Sequence, residues 1–132
     1  NSYTAAKDGV SSTGNAVRGS YQSPPQLGST NFYFAPGKWD PDAIIKDTGE
    51  GFYLTEVMGM HTANPISGDF SLGAAGIWIH NGELTTPVRC MVIAGNILEL
   101  LERVDAVGSD LRFFGSRGAP TIRVASLTVS GQ

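Results

Sequence analysis

Asn81-Gly82 lies between two runs rich in apolar and β-branched residues, FSLGAAGIWIH (70–80) and ELTTPVRCMVIAG (83–95). Asn-Gly between two such runs is the strongest short hairpin signal, because both turn positions need positive φ and these two residues supply it at least cost. The pair therefore predicts two long neighbouring strands in the middle of the chain, around which the rest must be built. Composition agrees with a β-rich outcome. The chain carries 17 glycines in 132 residues, and only 16% of its residues are charged, against a usual ~25%. Glycine penalises helix interiors, and so few charges leave little to solvate long helical faces. With 41% hydrophobic residues, this length supports one core.

Elsewhere the patterns are shorter. Residues 9–30 are dominated by Gly, Ser, Thr and Pro, and 1–30 reads as a loop-rich linker or an extended arm laid on another surface, with 31–132 as the β-rich domain. NFYFA (31–35), bounded by Pro36 and Gly37, predicts a short strand. Asp40-Pro41 predicts a helix start, with the Asp40 side chain capping and proline at the first position, hence a short helix over about 41–47. FYLTEVMGM (52–60) predicts a strand and HTANPISGD (61–69) a polar loop. Ile97, Leu100, Leu101 and Val104 recur at helical spacing behind a capping-box-like Asn96 and Glu99, predicting an amphipathic helix over about 96–107 with a Glu99–Arg103 surface pair. DLRFF, TIRVA and SLTVS supply two or three final strands. The predicted class is α+β, with mixed or antiparallel sheets and no internal repeat.

A formal charge of −3 and a pI near 5.2 exclude a phosphate-binding surface covering the whole domain. The single cysteine, Cys90, excludes an internal disulfide framework and fits a reducing compartment. No apolar run reaches the ~20 residues of a membrane-spanning helix, and no signal peptide opens the chain. A cytoplasmic protein is expected, with no membrane contact. The first residue is Asn1 rather than Met, which points to a fragment of a longer chain.

Chemistry-bearing residues are sparse. His61 and His80 lack the helical spacing that sets two imidazoles toward zinc, and although Cys90 could join either as a soft ligand, there is no second cysteine and no fixed spacing to assemble the three or four ligands a zinc site needs. No metal site is expected from this chain. His61, Ser67, Asp69 and Ser71 allow a nucleophile, base and acid to be drawn, but without a nucleophile elbow or oxyanion donor. The favoured reading is a turn-rich loop in which Asn64 and Asp69 bind backbone amides. Cys90, in a strand with Val88, Met91 and Val92 close by, is expected as a small buried side chain. Glu50 and Glu56 are expected as solvated or capping groups. Gly68, Gly73 and Gly76 mark either bends that relieve crowding or a groove that accepts an extended peptide by strand addition.

Three stretches, EGFYLTEVMGMHTANPISGDFSLGAAGIWIHNGELTTPV (50–88), IAGNILELLERVDAVGSDLRF (93–113) and GAPTIRVASLTVSG (118–131), resemble the C-terminal part of the TldD/PmbA family, once called modulators of DNA gyrase. STGNAVRGSY (12–21) and TNFYF (30–34) are similar to the segment that precedes it. The most specific pieces are SGDFSLGAAG, NGE followed by PV, IAGN, and VGSDLRF.

The resemblance implies a dimeric cytoplasmic assembly linked to zinc-dependent proteolysis of unfolded or peptide substrates. The family's active subunit carries a His-Glu-Xaa-Xaa-Xaa-His motif in its N-terminal half and a cysteine ligand between its last strands. The matching connection here, FFGSRGAP (113–120), has no cysteine, and the ligand role does not pass to Cys90. The chain thus resembles the PmbA (TldE) branch. It is expected to be inactive alone and to hold no zinc, the metal coming from a TldD-like partner or from an N-terminal half. It would pair as a homodimer or as a heterodimer with that partner, and bind no nucleic acid directly. His61, Asn64, Ser67, Asp69 and Ser71 are its candidate substrate-groove residues, with no catalytic residue assigned. The alternative is a dimerisation or scaffold module of the gyrase-modulator type, and a third reading is an independent hydrolase using His61, Asp69 and a serine.

Overall fold

A computed structural model describes residues 1–131. In chain order the elements are α1 (Ser2–Asp8), β1 (Ala16–Val17), β2 (Gln26–Leu27), β3 (Phe32–Tyr33), α2 (Pro41–Asp47), β4 (Glu50–Met58), a 3₁₀ turn (Met60–Thr62), β5 (Asp69–His80), β6 (Glu83–Asn96), α3 (Ile97–Glu102), β7 (Val104–Val107), β8 (Arg112–Phe114), β9 (Arg117–Ala119), β10 (Ile122–Val124) and β11 (Thr128–Ser130). The fold is β-rich α+β, as the sequence predicts. It divides into two units, one of residues 1–34 with 112–118 and one of 35–111 with the residues from 119 on.

The second unit is built on an antiparallel sheet of order β11-β6-β5-β4. Asn81 (φ 52) and Gly82 (φ 77) form the two-residue turn between β5 and β6. The turn is held from outside, since the Gly82 amide donates to the Gly49 carbonyl at 3.2 Å. Leu72 pairs with Ile93 and Ala74 with Met91 across β5 and β6, and these four buried residues are the core cluster. Phe52, Val57, Phe70, Val88, Leu127 and Val129 pack around them. Burial of each large side chain is worth about 1.5–3 kcal/mol.

The sheet is interrupted three times. Thr55 is an extra residue in β4 opposite Ala75, Arg89 and Cys90 together face Ala75 from β6, and Thr85 and Thr86 together face Trp78. A bulge strips a carbonyl of its ladder partner, and here a threonine hydroxyl replaces it in two cases. Thr55 Oγ1 donates to the Ala75 carbonyl at 3.1 Å, and Thr85 Oγ1 donates to the Trp78 carbonyl at 3.0 Å. Cys90 takes φ 60 and is exposed, correcting the expectation of a buried side chain. The bulge turns its backbone into the left-handed region and its thiol toward solvent. Pro87 occupies the part of β6 that β11, paired only with 92–94, leaves uncovered, so its missing N–H breaks no ladder on that side.

The helix predicted over 96–107 is corrected to Ile97–Glu102. Val104–Val107 forms β7 and pairs antiparallel with β10, because the β-branched Val104 and Val107 gain cross-strand partners that a local period does not reveal. Helix α2 spans the predicted 41–47 with Pro41 at its first position, but Asp40 makes no side-chain cap bond. Thr48 closes its other end, both its amide and its hydroxyl reaching the Ile44 carbonyl. Arg123 of β10 ties α2 to β7, donating to Asp47 at 2.7 Å and to Asp105 at 2.8 Å. These bonds hold the Arg123 pKa above its ordinary value, Asp105 contributing most.

In the first unit α1, a helix within the stretch predicted as loop-rich, is capped by Asn1, whose Oδ1 accepts from the Thr4 amide at 2.8 Å, and by Gly9 in the left-handed conformation. β1 and β2 pair antiparallel, and a three-stranded sheet runs β3-β9-β8, with β3 parallel to β9.

Candidate functional site

The polar loop between β4 and β5 brings together three of the five predicted groove residues. Gly59 (φ 79) starts the 3₁₀ turn, and Thr62 Oγ1 donates to the Gly59 carbonyl at 2.8 Å and to the Ser71 carbonyl at 3.3 Å. Asn64 precedes Pro65 and acts as a local backbone mimic: its Oδ1 accepts from the amides of Ile66 (2.9 Å) and Ser67 (3.2 Å). Its own amide donates to the Asp69 carbonyl, and its carbonyl accepts from Gly68, both at 2.9 Å.

Asn96, not singled out as a site residue from sequence, locks this loop to α3. Its Nδ2 donates to the Ser67 carbonyl at 2.9 Å and to Asp69 Oδ1 at 2.8 Å, while its Oδ1 accepts from the Leu98 amide at 3.0 Å. The Ile97 amide completes the tie by donating to the Gly68 carbonyl at 2.9 Å. The signal that finds Asn96 is its place as helix N-cap, where a side-chain oxygen is needed. The Asn96 amide, followed by Ser67, holds the Asp69 carboxyl below its ordinary pKa.

His61 lies in the 3₁₀ turn and is exposed, and Ser71 is exposed on β5. The structure bonds neither side chain to Ser67 or Asp69. The Ser67 hydroxyl accepts from the Asp69 amide at 3.3 Å and the Asp69 carboxylate accepts from Asn96, so serine, histidine and aspartate do not assemble into a proton relay. Exposed apolar side chains border the loop: Met58, Met60, Ile66 at its tip (95% exposed) and Leu98.

Gly68 and Gly76 resolve toward crowding, whereas a Cβ at Gly73 would meet only ordinary contacts with Met58. A Cβ at Gly76 would strike the Tyr53 carbonyl and the Phe52 ring, and one at Gly68 would press on Ile97 and Asn96. The space at both is filled by this chain's own elements. Glu50 is bonded rather than merely solvated. His80 Nδ1 lies 2.7 Å from its Oε1, and the His80 hydrogen bond, with help from the Asn81 amide, lowers the Glu50 pKa.

The sequence of the whole domain decides the lineage. Residues 1–131 match the family model described as the PmbA/TldA metallopeptidase C-terminal domain. The chain belongs to the PmbA/TldD family. Metalloprotease PmbA of Escherichia coli O157:H7 is 32% identical over 99% of this chain and 27% of its own length. A metalloprotease of Methanothermobacter thermautotrophicus is 34% identical over 97% of this chain and 31% of its own. Among solved structures, a candidate modulator of a DNA gyrase from Thermotoga maritima superposes with a TM-score of 0.79 at 38% identity, over 98% of this chain and 29% of that one. TldE from Thermococcus kodakarensis superposes at 0.80 with 27% identity, over 99% and 30%. The chain thus spans less than a third of the relatives it matches. No helix among the described residues is long and apolar enough to cross a membrane.

The family's metallopeptidase description implies a metal ion. Among the described residues no three His, Cys, Asp or Glu side chains gather in a way that could hold a metal ion. His61 lies in the 3₁₀ turn that precedes β5, and His80 is the last residue of that twelve-residue strand.

Proposed function

We propose that this chain is the C-terminal domain of a PmbA-type subunit in a zinc-dependent metallopeptidase complex acting on unfolded or peptide substrates. Its part is to form wall and pairing surface around the substrate, while zinc and general base come from a TldD-like partner or an N-terminal half. The observation that carries this reading is the match of residues 1–131 to a metallopeptidase C-terminal domain, together with relatives named metalloproteases of which the chain is under a third. The loop supports it from the structural side. The side chains of Thr62, Asn64, Ser67 and Asp69 are engaged in holding its own shape, and the apolar side chains of Met58, Met60, Ile66 and Leu98 are left outward for a partner.

Those same side chains favour a second reading, a dimerisation or scaffold module of the gyrase-modulator type that never meets substrate. A photocrosslinker at Ile66, presented with an unfolded substrate and a TldD-like subunit, separates the two. Crosslinks to substrate support the first reading, and crosslinks to the subunit alone support the second. One tightly bound zinc per isolated chain, found by elemental analysis, would overturn the first.

A further inference from the structure

The β3-β9-β8 sheet has one face that its own unit leaves open. Tyr33 and Phe113 meet with ring centroids 5.5 Å apart, and both border Gly118, so these three residues share a face. Side chains alternate along a strand, which puts Phe32, Arg112, Phe114 and Arg117 on the other. All four are exposed, Phe32 at 62% and Phe114 at 81%. The Arg117 guanidinium lies 5.5 Å from the centroid of the Phe32 ring and donates from Nη1 to Ser29 Oγ at 3.1 Å, so it is held in place with donors to spare.

Among the described residues neither arginine is paired with a carboxylate. The ion pairs among the described residues belong to His80, Arg103 and Arg123. The first unit contains Lys7, Arg18, Arg112 and Arg117 against Asp8 alone, although the chain as a whole is acidic. Beside Phe32 opens a cleft of about 400 Å³ lined by Asn15, Leu27, Ser29, Thr30 and Asn31, room for a side chain with hydrogen-bonding groups at its mouth.

We propose that the face carrying Phe32, Arg112, Phe114 and Arg117 is a docking surface for an acidic polypeptide segment with interspersed apolar side chains. Carboxylates match the planar guanidinium fork in two-point contact, and the exposed rings and the cleft take the apolar residues. Two arginines on one face suit a few carboxylates better than a nucleic-acid strand, whose regularly spaced phosphates call for a track of cations. The proposal deepens the peptide-handling function and rests on it by naming the class of chain preferred. Its test uses binding without metal or cleavage, so it can fail while that function stands.

The experiment is fluorescence anisotropy of the intact chain with a short labelled peptide built of Glu, Phe and Ser. The comparison probes are the same peptide with Lys for Glu, and oligothymidine of matched length. The acidic peptide is expected to bind, and the Lys peptide is not. Arg117→Glu and Arg112→Glu should each weaken binding by about tenfold, on the scale of an interface anchor. Phe114→Ser, at an exposed position that does not threaten folding, should weaken it too, whereas Arg103→Glu, in the other unit, should not. Equal binding of the acidic and basic peptides, unchanged affinity in the variants, no binding at all, or tighter binding of oligothymidine would each overturn the proposal, the last in favour of a nucleic-acid surface.

Discussion

The hydroxyl of Thr55 donates to the carbonyl of Ala75 at 3.1 Å, where β4 carries one residue more than β5. Ala75 is opposed by surplus residues from both neighbouring strands, and Thr55 supplies a hydrogen bond that the broken ladder cannot. A part-buried carbonyl left without a donor costs about 1–3 kcal/mol.

Thr55→Val should therefore lower stability by about 1 kcal/mol, the usual net worth of one such bond, while Thr55→Ser keeps most of it. Urea unfolding at a fixed temperature reads the difference, and equal midpoints for the Val and wild-type chains would refute the role of the hydroxyl.

Asn96 links three segments, so Asn96→Ala should cost more than a lone cap, about 1–2 kcal/mol. It should also release the loop at 59–68. Hydrogen exchange checks this, since the amides of Leu98, Ile66 and Ser67 should lose protection together. Loss at Leu98 alone would reduce Asn96 to a helix cap.

The pH dependence has a definite sign. Asp69 and Glu50 titrate below their ordinary values of 3.8 and 4.5 in the folded chain, held by Asn96 and by His80 respectively. A carboxyl whose folded pKa is depressed contributes stability above its unfolded pKa and loses it as pH falls through the folded one. Acid titration below about pH 4.5 should thus weaken the chain progressively, and Asp69→Asn should flatten the slope of stability against pH in that range. An unchanged slope would show that Asp69 is not held as described.

Arg123→Lys should weaken the tie between α2 and β7, because one ammonium cannot reproduce two guanidinium contacts aimed at Asp47 and Asp105. With Arg123 only partly buried and both aspartates half exposed, the loss should be about 1 kcal/mol. A double-mutant cycle between Arg123 and Asp105 isolates the pair, and a zero coupling energy would discard it.

Cys90 is exposed with φ 60. Cys90→Gly should be neutral or mildly stabilising and Cys90→Val destabilising, since a β-branched side chain is poorly accommodated in the left-handed region. The native chain should also react with a thiol reagent without first unfolding. A thiol that reacts only in denaturant would place the side chain inside.

Local signals were the readable ones. Asn81-Gly82 gave its turn, Pro41 its helix start, and Asn96 its cap, because each is a matter of neighbours within a few residues. The end of α3 was not readable, since Val104 keeps helical spacing with Leu100 and Leu101 and only its pairing with Val124 makes it strand. Arg123 reaches Asp47 across 76 positions, a contact no window detects. Of the loop, the turn chemistry of Asn64 was legible, whereas the Asp69 carboxylate, expected on backbone amides, accepts instead from the Asn96 side chain. What escaped was that Asn96 would join them, and that Cys90 would face water at a bulge whose second strand lies elsewhere in the sequence.

The bulges have a further consequence for how this chain behaves beside copies of itself. Long open strands invite other strands to continue their ladder, which is how soluble sheets begin to form fibrils. Here the outer strand β4 is broken at Thr55, and the uncovered stretch of β6 is interrupted by Pro87, by the Thr85–Thr86 pair and by Cys90. Each presents an incoming strand with a ladder out of step. The irregularities that make this sheet hard to foresee from sequence also make it a poor template for aggregation.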